Sequence, residues 1–252
     1  MSPRSVLKQR AKESIKASRP SAILVFLVYA VVVVLLEYLA GVVSGYRTYV
    51  TYLVEVANSG GSYYPSMYYQ PSTLGSLLSI AINIMISILS VGCTSYALSV
   101  SRMVRAGFVN LLDGFSYFLR ALWLGILMGI FIWLWSLLLI VPGIVAAYRY
   151  SQAYYIMLDN PDMPAIDCIR ASKELMYGHK WEKFVLDLSF ILWGLLCIIP
   201  IAAIWVTPYY EVTCANYYNE LIGSKYEAAP PVYGPGDDNG SGGDRQPWDP
   251  ER

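Results

Sequence analysis

Apolar residues in this chain gather into six stretches, and the polar segments between them alternate in their content of Lys and Arg. Segments 1–20, 101–120, 159–183 and 223–252 carry six, three, four and three of these residues. The intervening segment 44–75 carries one, and the Pro142-Gly143 and Pro200 punctuation points carry none. Cytoplasmic loops of membrane proteins are enriched in Lys and Arg. The pattern therefore predicts an all-α polytopic helix bundle of about six transmembrane helices, with both termini cytoplasmic. The expected spans are 21–43, 76–100, 121–141, 144–158, 184–199 and 201–222.

The first twenty residues form their own unit. Ser2-Pro3 suits a helix start. Lys8, Lys12 and Lys16 recur every four residues beside a stripe of Leu7, Ala11 and Ile15. This predicts a basic amphipathic helix on an anionic cytoplasmic leaflet. The run that follows, Ser21 to Val43, has about the ~20 residues a bilayer requires, and no convincing cleavage site follows it. It is expected to remain as a helix.

Residues 44–75 read as an external loop rich in tyrosine, whose amphipathic rings suit a membrane interface. Pro142-Gly143 admits two readings, a kink or a tight turn. A kink would place Arg170, Lys173, Lys180 and Lys183 outside. A turn places them inside, and the charge alternation favours it. Residues 162–177 form a second amphipathic surface helix, started by Asp162 and Pro164 and ended by Gly178, with Trp181 as an interfacial anchor. Residues 21–222 thus make the membrane domain. Residues 223–252, with six acidic and three basic residues among Gly and Pro, read as a disordered acidic tail.

Composition agrees. The chain has 252 residues, of which 56% are hydrophobic and 14% charged, and a net charge of zero. Ordinary soluble domains carry about 25% charged residues. Zero net charge gives nucleic-acid binding no support. Cys93, Cys168, Cys197 and Cys214 show no metal-ligand spacing, and a single histidine, His179, cannot build a histidine site alone. No cofactor is expected.

Ionisable groups inside spans cost about 2.5–3.5 kcal/mol each at a helix centre and mark candidate sites. Glu37 and Arg149 each lie six residues from an outer helix end, about 9 Å deep at ~1.5 Å per residue. Glu211 lies deeper, at about 15 Å. Glu37–Arg149 and Arg149–Glu211 are therefore candidate pairs. Tyr148, Tyr150 and Tyr210 are placed to hydrogen-bond them. Asp187 falls near a cytoplasmic end and reads as hydrated. The candidate site is this intramembrane group: Arg149, Glu211, Glu37, Tyr148, Tyr150 and Tyr210. Phosphate-binding loops, HExxH and GxSxG are missing from the sequence, so no catalytic residues are named.

Three blocks carry a resemblance. They are Pro142-Gly143-Ile144 with Arg149-Tyr150 and Asp159-Asn160-Pro161; Ser172, Met176 and Gly178-His179-Lys180-Trp181 with Leu188 to Trp193; and Pro208-Tyr209 with Tyr217-Tyr218. With the Leu7-Lys8 and Ala11-Lys12 opening, they resemble the prokaryotic family known as domain of unknown function 975, over about residues 5–222. That family is distantly similar to the membrane domain of glycerophosphoryl diester phosphodiesterases. The resemblance implies a multi-pass plasma-membrane protein without an established activity. The phosphodiesterase catalytic domain has no counterpart here.

Two functions fit. One is a non-enzymatic scaffold or regulator of a membrane partner, in contact with the lipid bilayer. The other is a transporter, or a lipid- or small-molecule-binding protein, using the polar interior around Arg149 and Glu211.

Overall fold

The computed structural model describes residues 3–45, 73–104, 106–196 and 200–228. Most of the external loop 44–75, the tail beyond Ala228, Arg105 and Cys197 lie outside the described residues. Every regular element among the described residues is helical. They are α1 (Arg4–Ala17), α2 (Ala22–Val43), α3 (Thr73–Ser101), α4 (Phe118–Leu138), α5 (Ile140–Tyr150), α6 (Ala153–Asp159), α7 (Ala165–Leu175), α8 (Lys180–Leu196) and α9 (Pro200–Ala228). A 3₁₀ segment, Phe108–Leu112, runs into one helical turn, Asp113–Ser116.

Three of these helices, α2, α3 and α4, are long and apolar enough to cross a membrane, with mean hydropathies of 2.7, 2.1 and 2.1. Little of their surface is covered by the rest of the protein. Val34 is 65% exposed, Leu77 59% and Leu137 69%. Apolar side chains left uncovered on this scale require an apolar solvent, so the chain reads as a membrane protein. On α3, Ser79, Ser87, Ser90 and Thr94 donate to carbonyls three or four residues earlier, at 2.7–3.1 Å. Their hydroxyl protons are thereby satisfied without water.

The chain turns back after α4, as the charge alternation required, but three residues earlier than Pro142-Gly143. Leu139 is extended (φ −164°, ψ 149°) and α5 starts at Ile140. Pro142 therefore sits in the first turn of α5, where a helix leaves backbone N–H groups unpaired anyway. Gly143 is where the two arms touch. A Cβ there would meet Ser136 side-chain atoms and lie 2.9 Å from the Ser136 Cα. Further along, Phe131 packs on Tyr150, with ring centroids 6.2 Å apart. The arms are antiparallel, so the site is a hairpin turn and not a kink.

The returning arm is itself broken between α5 and α6, at Ser151-Gln152. A helix break strands backbone groups. Here α7 repairs it. Ser172, fully buried, accepts a hydrogen bond from the Gln152 N–H (3.2 Å) and donates one to the Arg149 carbonyl (2.9 Å). The helix expected at 162–177 thus spans Ala165–Leu175, and its inner face (Cys168, Ile169, Ala171, Ser172, Leu175) is buried against protein. Burial pushes the Cys168 thiol up to about 11, which leaves it protonated and unreactive at neutral pH. Gly178 follows with φ +83°, the left-handed conformation that glycine adopts without strain.

The N-terminal helix also differs from expectation. Leu7, Ala11 and Ser14 of α1 are buried, and α1 packs against α9 rather than on lipid alone. The last helix, expected to end by residue 222, runs on to Ala228. Helix α9 lies at the centre, against α1, α2, α3 and α8. The 108–116 segment lies along α3, where Gly92 meets the Leu111 backbone and Gly114 the Ile88 carbonyl. Asp113 accepts from Ser95 (2.8 Å) and Asn110 (3.0 Å) to hold it there.

Replacing Ser172 by Ala should strand both the Gln152 N–H and the Arg149 carbonyl, at about 1–3 kcal/mol for each buried group. The expected outcome is a melting temperature several degrees lower in detergent, measured by circular dichroism. An unchanged value would show that the break has another partner.

Candidate functional site

Helices α8 and α9 run antiparallel and are stapled by rings. Phe190 meets Tyr209 and Tyr210 edge-on at 5.2 and 5.3 Å, and Trp193 meets Tyr209 at 6.3 Å. Two turns nearer the start of α8, this packing encloses a lysine. The Lys183 side chain is 6% exposed. Its Nζ donates to Asp187 Oδ1 at 2.6 Å and to Cys214 Sγ at 3.3 Å, and lies 5.4 Å from the centre of the Tyr210 ring. The Tyr210 hydroxyl donates to the same Asp187 oxygen at 3.1 Å. From α5, Tyr148 comes within hydrogen-bonding reach of Asp187, its ring edge-on to Phe184 at 5.9 Å. Lys183 and Asp187 are four residues apart on one helix, which puts them on one face. A buried ammonium next to a carboxylate, a phenol and a thiol is thus held between α8 and α9.

Glu211 follows Tyr210 on α9. Its charge is felt by Tyr29 of α2, Cys93 of α3 and Tyr155 of α6, and it is within electrostatic range of Lys183. Among the described residues no hydrogen bond or ion pair reaches it.

The other expected members lie elsewhere. Glu37 is exposed on the outer face of α2, beside Val34 and Leu35. The Arg149 Nε is buried without a hydrogen-bond partner, and neither Glu37 nor Glu211 is within ion-pair distance of Arg149 among the described residues. Tyr150 is buried in the α4–α5 hairpin against Phe131. Tyr148 and Tyr210 do converge, but on Asp187. The spacing of Lys183 and Asp187 at the entry of an apolar helix was the signal that could have located this centre.

A second polar knot joins the ends of α3, α6 and α9. Arg102 clasps Asp159 through two hydrogen bonds of 2.7 Å, and its Nε donates to Asn219 at 3.0 Å. Tyr218 donates to Asp159 at 2.9 Å, and Asn219 to Ser101 at 2.9 Å. Burial alone would lower the Arg102 pKa. The Asp159 carboxylate outweighs burial and holds it above its usual value. His179, the single histidine, pairs with Glu182 at 3.0 Å. Among the described residues no group of three or more His, Cys, Asp or Glu side chains could hold a metal ion.

Residues 137–225 match the model of a family described as a protein of unknown function, DUF975. Over this segment the chain is similar to DUF975. The DUF975 segment begins two residues before the Leu139 turn and holds Ser172, Asp159, Lys183, Asp187, Tyr210 and Cys214. The three sequence blocks named above fall inside it; the Leu7-Lys8 opening does not. No curated protein and no solved structure matches the chain, so no phosphodiesterase accompanies the DUF975 match.

Lys183→Met should leave Asp187 without its cation and destabilise the fold by about 3–5 kcal/mol. The double variant Lys183→Met/Asp187→Leu should recover most of that loss, because an apolar pair can replace a buried ion pair at little net cost. Thermal unfolding of both variants in one detergent checks this. A double variant as unstable as the single one would refute the pairing.

Proposed function

We propose that this chain is a multi-pass plasma-membrane protein with six crossings and both termini in the cytoplasm, and that it holds or regulates a membrane partner rather than catalysing a reaction. Support for six crossings comes from packing. Residues 140–159 return along α4, and at ~1.5 Å per residue they reach about 30 Å, the depth of a hydrocarbon core. Helices α8 and α9 carry charge, but Lys183 and Asp187 face neighbouring helices, where intramembrane charges are tolerated. The Lys and Arg alternation then supports the orientation with both termini inside.

The observation that carries the scaffold reading is that the two largest polar clusters of the interior are paired within themselves. Lys183, Asp187, Tyr210 and Cys214 bond to one another, as do Arg102, Asp159, Tyr218 and Asn219. Groups spent on each other fix helix packing. Helix α7 meanwhile offers an outward face, with Ile166 54% exposed beside Arg170 and Lys173, as a contact surface. Capture from gently solubilised membranes should recover a second membrane protein in fixed proportion. Recovery of this chain alone sinks the scaffold reading.

Glu211 favours a second reading. A carboxylate within electrostatic range of tyrosines and cysteines, with no partner among the described residues, suits a transporter or a protein that binds a lipid or small molecule. Glu211→Gln should then abolish thermal shifts that cations or lipids induce in the parent protein. Equal shifts in both would remove this reading.

Topology is tested separately. In a variant lacking native cysteines, a cysteine at Ser62 should react with an impermeant maleimide on intact cells. One at Ser241 should react only after permeabilisation. The reverse pattern would overturn the orientation.

A further inference from the structure

Helix α1 spends its apolar stripe on the protein, with Leu7 2% and Ala11 0% exposed. Its cations have no carboxylate partner among the described residues. Arg4, Lys8 and Lys12 follow one another every four residues, on one helix face. Burial, then the charges of Arg4 and Lys12, lower the Lys8 pKa. The three cations therefore crowd one another. Lys8 settles over the Phe190 ring at 4.2 Å, with its Nζ 3.4 Å from the Ser189 carbonyl, and Lys12 lies over Tyr209 at 5.5 Å. Among the described residues no carboxylate pairs with any of the three.

Beside this row is a groove of about 240 Å³, between the start of α1 and the flank of α8. Arg4 stands at it, and Leu7, Val185, Leu186, Trp181 and Tyr217 line it. Glu182 is also on its wall, but its carboxylate is turned to His179. Trp181 is 71% exposed and stacks on Phe184 at 5.2 Å. An exposed indole marks the headgroup level of a bilayer.

We propose that this groove seats one anionic phospholipid of the cytoplasmic leaflet. Its phosphate lies beside Arg4, with Lys8 one turn further along α1, and an acyl chain runs along Leu7, Val185 and Leu186. The seat rests on the membrane orientation proposed above. Charge decides the occupant: an uncompensated row of cations beside an apolar trough matches a molecule with one anion and a hydrocarbon tail. A soluble anion would leave the trough empty, and a zwitterionic lipid would leave the row uncompensated. Each cation near an anionic lipid surface strengthens attachment by about fivefold.

The test is native mass spectrometry of the full chain in mild detergent. Phosphatidylglycerol or phosphatidylcholine with identical acyl chains is added to lipid-stripped protein. One phosphatidylglycerol should be retained at least about tenfold better than phosphatidylcholine. Arg4→Gln should reduce that retention about fivefold, and Val185→Trp, which fills the trough, should abolish it. Arg4 is exposed and has no partner among the described residues, so Arg4→Gln still decides the matter if Val185→Trp fails to fold. Equal retention of the two lipids overturns the seat. So does unchanged retention by Arg4→Gln, or displacement by millimolar inorganic phosphate, which would show that only the anion is read. Labelling at positions 62 and 241 reads the orientation independently, so the two proposals can fail separately.

Discussion

Lys183 sits where water hardly reaches it, and its ammonium is confined to the acceptors that neighbouring helices bring. That confinement organises the C-terminal half of the chain. Asp187 must lie one turn away on α8, Cys214 must face it from α9, and Tyr210 must close the carboxylate from above. These demands fix the register of α8 against α9 to the residue. A slip of one position would rotate Cys214 away and leave the ammonium short of a partner. Helix α9, held in that register, supplies Glu211 toward α2, α3 and α6, Tyr218 and Asn219 toward Arg102, and a surface for α1.

The same rule governs the backbone. A polar group in apolar surroundings needs a partner from the protein. The hydroxyls of α3 turn back on their own helix, and Ser172 reaches across to a neighbouring one. Arg102 shows the weaker limit of the rule. At 37% side-chain exposure it shares its charge with solvent, so its clasp on Asp159 contributes more to geometry than to stability.

Much of the architecture was legible in the amino-acid order. The apolar runs located α2, α3 and α4 to within a few residues, because lipid-facing helices need no partner to declare themselves. The alternation of Lys and Arg chose a hairpin over a kink. Its exact position was masked by Pro142, which looks like a turn residue but fits the first turn of a helix, where its missing N–H costs nothing. The candidate site was harder to read. Equal depth suggested Glu37 as a partner for Arg149, but depth is one of two coordinates; the direction in which a helix face points is the other, and Glu37 points outward. Asp187 reads as hydrated in the sequence because it falls near a cytoplasmic helix end, and the tie of its partner Lys183 to Cys214, thirty-one residues away, exists only once the hairpin has its register.

The repair made by Ser172 also sets an order of events during synthesis. The Arg149 carbonyl and the Gln152 N–H leave the ribosome twenty or more residues before the hydroxyl that satisfies them. Until α7 exists, the arm α5–α6 carries an open polar gap at its middle. A nascent chain in that state has every reason to keep this arm near water. In the six-crossing topology proposed above, the commitment of the arm to an apolar setting therefore waits on α7, and one helix sets the timing of its neighbour.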